Sequence, residues 1–191
     1  MAAARVRRAV PGAGARGGGS PPLLVVVGGL PAVGKTAVCR ALLRERPMTW
    51  LRVDSIEQAL RRSGEMLPGG AGYWAAAAVA GDVLPTGGDV LVECVNPLPV
   101  TRRLWARTAA DADASLLGVE LVCSDTAEHR RRVEQRVSDI DGLVLPDWQA
   151  VLRRDYEPWP EADLRVDTAR ESPARLARTV VGLCDAARGR T

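Results

Sequence analysis

Five short apolar runs punctuate the chain, at residues 23–27, 49–53, 90–95, 117–123 and 164–167, and stretches of helical character separate them. Leu23-Leu24-Val25-Val26-Val27 is continuously apolar and mostly β-branched, the mark of a strand buried on both faces of a parallel sheet. Thr36 to Arg46, with apolar Val38, Ala41, Leu42 and Leu43, predicts a helix, as do Ser55 to Arg62 and the alanine-rich Tyr73 to Leu84. Asn96 and Pro97 break the third strand, and Thr101 is placed to cap the helix that carries Arg102, Arg103 and Trp105. A further helix bears Glu128, His129, Arg130, Arg131, Arg132 and Arg136; a polar, glycine-bearing stretch follows before Asp147 restarts a helix toward Tyr156. Strands alternating with helices predict an α/β fold: one parallel sheet, helices on both faces, and ligands at the carboxyl ends of the strands.

Between the first strand and its helix lies Gly29-Leu30-Pro31-Ala32-Val33-Gly34-Lys35-Thr36, a full match to the Gly-x-x-x-x-Gly-Lys-Ser/Thr phosphate-binding loop. Lys35 is the single lysine beside 25 arginines. A chain that uses arginine at every other basic position keeps a slim ammonium where a wide guanidinium would collide with a buried triphosphate. In a strand–loop–helix context the loop N–H groups and the helix dipole face the phosphates, Lys35 reaches the β and γ groups, and the Thr36 hydroxyl ligates magnesium. Residues 29–37, ending at Ala37, are the expected nucleotide cradle, with ATP and Mg2+ as the implied ligands.

Composition bounds the remaining possibilities. A chain of 191 residues, 47% apolar, suits one domain, expected over 22–188, behind a disordered tail at 1–21 rich in Ala, Arg and Gly. The tail lacks the apolar core of a secretory signal, and no stretch of about 18 uncharged apolar residues exists to span a membrane, so the expected location is cytoplasmic. The net charge of +3 divides unevenly: Arg5, Arg7, Arg8 and Arg16 account for the excess, and the body beyond them is near neutral. That balance argues against a nucleic-acid partner. Cys39, Cys94, Cys123 and Cys184 are widely spaced and read as buried free thiols of a reducing compartment.

Phosphoryl transfer needs a metal-holding group, a group that orients or deprotonates the acceptor, positive charge on the moving phosphoryl, and exclusion of water. Asp54 ends the second strand, where it is either the base that takes the acceptor's proton or the cap of the helix starting at Ser55. Glu93 ends the third strand and is placed to hold magnesium through water, to position the acceptor, or to serve as a buried strand-end acid. Arg132 and Arg136, four apart, share a helix face beside the stretch 137–147, an expected lid whose arginines close onto the phosphates. Asn96 and Arg102 join Asp54 as candidate acceptor contacts. His129, the one histidine, has no nucleophile or acid at a telling spacing and reads as an exposed helix residue. Trp148, Tyr156 and Trp159 read as aromatic packing under the lid.

These pieces together resemble the small P-loop kinases of the AAA-type ATPase-like kinase group, similar in layout to chloramphenicol phosphotransferase, zeta-toxin and gluconate-kinase-type enzymes. The resemblance runs from about Leu23 to Leu183. It implies the three-layer P-loop NTPase fold with sheet order 2-3-1-4-5, Asp54 as the activator of the acceptor hydroxyl, and adenine beside Arg132 and the loop Asp167-Thr168-Ala169-Arg170. Ala32-Val33 departs from the Gly-Ser or Gly-Thr common in such loops. The acceptor regions 55–85 and 96–105 match no known substrate site. The expected partners are therefore a nucleoside triphosphate and an unidentified small-molecule acceptor. A nucleotide-dependent switch or accessory ATPase, and a polynucleotide 5′-kinase, are the alternative functions.

Overall fold

The computed structural model describes residues 20–64 and 68–189, so most of the expected tail, residues 1–19, lies outside the described residues. Five strands, β1 (Leu23–Gly28), β2 (Thr49–Arg52), β3 (Val90–Glu93), β4 (Ser115–Val122) and β5 (Leu164–Asp167), form one parallel sheet in the order β2-β3-β1-β4-β5. This is the predicted order.

Side chains alternate across β1, and that alternation builds two cores. Leu23, Val25 and Val27 pack beneath α1 (Lys35–Glu45) and α7 (Pro173–Arg188), while Leu24 and Val26 face α3 (Ala71–Val83) and α4 (Pro99–Asp111). All five β1 side chains are fully buried, which explains why the run shows no polar position. Trp105 of α4 is also fully buried, and burial of such a ring contributes about 3 kcal/mol. Helices α2 (Val53–Arg62) and α5 (Thr126–Gln135) start where β2 and β4 end, at the carboxyl edge of the sheet, and α6 (Trp148–Leu152) packs on α5.

Two predicted helix starts move. Helix α4 begins at Pro99 with Leu98 as its cap, and the Thr101 hydroxyl instead donates to the Leu98 carbonyl at 2.8 Å. Helix α2 begins at Val53, so Asp54 sits inside the first turn and makes no capping bond. Helix α6 ends at Leu152, short of Tyr156, with Asp147 accepting from the Ala150 N–H at its start.

The three late aromatic residues do not form one cluster. Trp148 meets His129 edge-on at 5.3 Å, whereas Trp159 lies in the second core against Gly118, where an added Cβ would come within 2.7 Å of the indole. Fully buried Glu120 fixes that segment, accepting from the Tyr156 hydroxyl at 2.7 Å, the Trp159 N–H at 3.2 Å and Arg165 Nε at 2.9 Å. The four cysteines are free thiols; Cys39, Cys94 and Cys184 are buried and Cys123 is half-buried. Among the described residues no helix is long and apolar enough to cross a membrane.

Candidate active site

The loop after β1 turns tightly enough to need glycine. Gly29 has φ 143°, and a Cβ there would meet the Leu121 carbonyl oxygen at 2.3 Å. Ala32 has φ 64°, a left-handed conformation that costs an alanine about 1 kcal/mol and explains why glycine is common at that place. Gly34, at φ 95°, caps α1, and Lys35 is the helix's first residue.

Lys35 is 8% exposed, and its Nζ donates to the Gly29 and Leu30 carbonyls, both at 2.9 Å. The ammonium is thus stored within its own loop. Burial lowers its pKa, and the nearby carboxylates of Asp54 and Glu93 oppose that shift.

Opposite the loop, Glu93 aligns with Val27 on one side and Arg52 on the other. The Thr36 hydroxyl donates to Glu93 Oε1, and Arg52 Nε lies 3.4 Å from Glu93 Oε2. A hydroxyl and a carboxylate held together are hard oxygen donors that suit magnesium, which also needs phosphate and water oxygens. Among the described residues no three His, Cys, Asp or Glu side chains form a metal cluster, so a metal here depends on those oxygens.

Thr36, Lys35, Asp54, Glu93, Arg132 and Arg136 all line one cavity of about 920 Å³. Asp54 is exposed into it, while Arg136 is half-buried, its Nε and Nη2 without hydrogen-bond partners among the described residues. Burial lowers the Arg136 pKa, Asp54 opposes that shift and Arg154 adds to it.

Arg132 is held differently from the swinging lid arginine that was expected. Its guanidinium donates to Glu128 Oε1 at 2.7 Å, to the Thr168 hydroxyl at 3.0 Å and to the Thr168 carbonyl at 3.1 Å. Shared by Arg131 and Arg132, the Glu128 carboxyl is depressed to about 2. Arg132 and Thr168 line a second, smaller cavity with Gly34, Ala37 and Val38, on the side where the resemblance puts the base. The Thr168 hydroxyl shares its one proton between the Val33 and Val122 carbonyls, at 2.8 and 3.1 Å. Arg170 does not line either cavity; it is exposed and pairs with Asp167 at 3.2 Å.

The expected acceptor contacts Asn96 and Arg102 need correction. Asn96 is fully buried at φ 53° and outside the cavity lining, and among the described residues no hydrogen bond satisfies its side-chain amide. Arg102 is buried as well, donating to the carbonyls of Asn96, Pro97, Glu157 and Pro158. It pins the 157–158 segment to the chain just after β3 and spends four of its five N–H donors on backbone carbonyls. The cavity wall beside Asp54 instead includes Glu57 and Tyr73, neither singled out by sequence. The Tyr73 hydroxyl accepts from the Asn96 N–H at 3.0 Å, which leaves its own proton to donate.

His129 is buried, not exposed, with Nε2 2.8 Å from the Pro31 carbonyl. It ties α5 to the phosphate loop.

Residues 137–146 cross the cavity mouth under an ionic strap. Asp139 pairs with Arg52 at 2.9 and 3.0 Å and also with Arg40, and Asp141 pairs with Arg62. The Arg52 hydrogen bonds hold the Asp139 carboxyl below its ordinary value of 3.8, so its stabilising effect is whole above that pH and is lost as acid protonates the folded form. Asp139→Asn is expected to speed amide exchange across 138–146 by roughly tenfold at neutral pH, and unchanged exchange would remove the strap from the account.

Nine of the cavity's lining side chains are cationic and four are carboxylates. Neutrality of the body as a whole therefore hides a basic cavity, and the charge-based objection to an anionic partner does not hold at this site.

A family model described as an AAA domain matches residues 24–154. No curated protein matches the chain significantly. Among solved structures, the Mycobacterium tuberculosis APS kinase CysC in complex with AMPPNP and APS is 20% identical, with TM-score 0.66, covering 88% of this chain and 99% of its own. A gluconokinase from Sinorhizobium meliloti 1021 is 22% identical, with TM-score 0.60 and coverage of 88% and 95%. Chaetomium thermophilum Kti12 in complex with ADP-AlF3 is 21% identical, with TM-score 0.62 and coverage of 86% and 98%.

Proposed function

Because the chain belongs to the AAA domain family over residues 24–154, we propose that it is a magnesium-dependent phosphotransferase moving the γ-phosphoryl group of ATP to a hydroxyl of a small molecule. The observation that carries this is the convergence of Lys35, Asp54 and Arg136 on one cavity beneath the 137–146 strap. The similar folds include an APS kinase and a gluconokinase, which supports small-molecule transfer.

Nucleotide binding draws Lys35 Nζ from the Gly29 and Leu30 carbonyls onto the β and γ phosphates. Thr36 and Glu93 would hold magnesium, directly and through water, and the ion would neutralise charge building on the phosphate oxygens. Asp54 accepts the proton of the acceptor hydroxyl as that oxygen bonds to the γ-phosphorus. The bond from γ-phosphorus to the bridging oxygen breaks, and ADP and the phosphorylated acceptor leave. Arg136, whose buried Nε and Nη2 have no partner among the described residues, supplies positive charge to the moving phosphoryl group.

Label followed from γ-labelled ATP tests the proposal. With a broad pool of small hydroxyl compounds, label is expected in an organic product that appears only with the protein. Label found solely as free phosphate would instead favour a nucleotide-dependent switch or accessory ATPase.

A further inference from the structure

The cavity carries more positive charge than ATP transfer uses. Lys35 and Arg136 are assigned to the phosphates; Arg40 and Arg52 are occupied by Asp139; Arg131 and Arg132 are occupied by Glu128. Arg61, Arg62 and Arg154 remain, all on the acceptor side formed by α2 and the end of α6. Arg61 bonds Glu57 at 3.1 Å, and among the described residues Arg62 pairs with Asp141 alone, which is 91% exposed and easily replaced as a partner. Arg154 lines the same cavity, and among the described residues its side chain makes no hydrogen bond or ion pair.

Arg154 also acts on its neighbours. Its charge lowers the pKa of Arg136 on one side and of Glu57 on the other, although burial leaves Glu57 raised overall. Arg136 is half-buried and Arg154 exposed, and an anion between or beside them relieves what repulsion water leaves unscreened. The rest of the body, beyond the amino-terminal arginines, has an excess of carboxylates, so cationic groups are concentrated at this cavity.

Resting on the phosphotransferase proposal, the geometry points to an acceptor that carries its own anionic group, a phosphate, sulfate or carboxylate, seated against Arg154 and the Arg61–Arg62 pair. The hydroxyl to be phosphorylated then faces Asp54, and Tyr73 offers a further donor. The acceptor class is a small acidic alcohol. Arg154 is exposed at the cavity rim, so an anionic group there gains a charge-assisted contact that a neutral polyol cannot make.

The test uses the full chain saturated with Mg2+ and a non-hydrolysable ATP analogue, so that the γ-phosphate subsite is filled. Sulfate, phosphate and acetate are titrated by calorimetry at constant ionic strength. At least one is expected to bind at a saturable second site in the millimolar range. Arg154→Gln should weaken that binding at least tenfold, and Arg154→Lys should restore part of it, because the interaction is charge-assisted. A bound analogue with no second site, or a second site indifferent to Arg154→Gln, would overturn the inference and leave the phosphotransferase proposal standing. Failure of the analogue itself to bind would overturn both. A 5′-hydroxyl oligonucleotide that binds more tightly than any of the three anions, and loses that affinity in Arg154→Gln, would replace the small acceptor with a nucleic-acid end.

Discussion

Lys35→Met is expected to weaken Mg-ATP binding at least hundredfold in calorimetry and to abolish phosphoryl transfer. The side chain is the one ammonium of the protein, buried to 8% exposure beside the turn that the triphosphate must wrap. Each hydrogen bond to a charged group contributes about 1.5–3 kcal/mol, so losing two at the β and γ phosphates accounts for an effect of this size. Lys35→Arg is expected to fail as well, because the guanidinium plane does not fit where Nζ lies 2.9 Å from two loop carbonyls. Thermal stability of the free methionine variant should change little. Burial already disfavours the charge at this site, as its lowered pKa indicates, so an apolar replacement relieves a cost while removing two internal bonds. Nucleotide binding equal to that of the unsubstituted chain would remove the loop from the mechanism.

Asp54→Asn is the second large effect. General-base catalysis contributes about 10²–10⁴ in rate, and transfer should fall by that factor. Nucleotide affinity should be unchanged or slightly tighter, because the aspartate's negative charge lies near both Lys35 and Arg136 and opposes an incoming triphosphate. The helix-cap alternative predicts a different signature, a loss of stability of about 1 kcal/mol with transfer intact. The geometry favours the rate effect: Asp54 lies in the first turn of α2, bonds no helix N–H and faces the cavity. Equal turnover by the asparagine variant would refute the base assignment.

Local signals carried the fold. The unbroken apolar run of β1 announces burial on both faces, and it does occupy the centre of the sheet, between β3 and β4. The glycine loop between that run and an amphipathic helix is read from eight consecutive residues, so its place at the sheet's carboxyl edge follows from connectivity alone. Asp54 and Glu93 were found by the same rule, as acids at the ends of β2 and β3.

Contacts across the chain stayed hidden. Arg102 resembled a substrate arginine because its partners are backbone carbonyls, which carry no mark in a sequence, and two of them lie about 55 residues away. His129 resembled a solvated helix residue for want of any sign that α5 packs on Pro31. The pairing of Arg52 with Asp139 spans 87 residues, so the strap across the cavity was legible only as a polar stretch. Tyr73 gave one overlooked signal, a lone phenol at the head of an alanine-rich helix. The basic cavity was masked by averaging, since total charge says nothing about where arginines gather.

A structure of the complex with Mg2+ and a non-hydrolysable ATP analogue tests the central claim most directly. Lys35 Nζ should have left the Gly29 and Leu30 carbonyls for the β and γ phosphates, with Arg136 against the γ group and Asp54 free to face an acceptor. An analogue bound elsewhere, or bound while Lys35 keeps both carbonyls, would contradict the account.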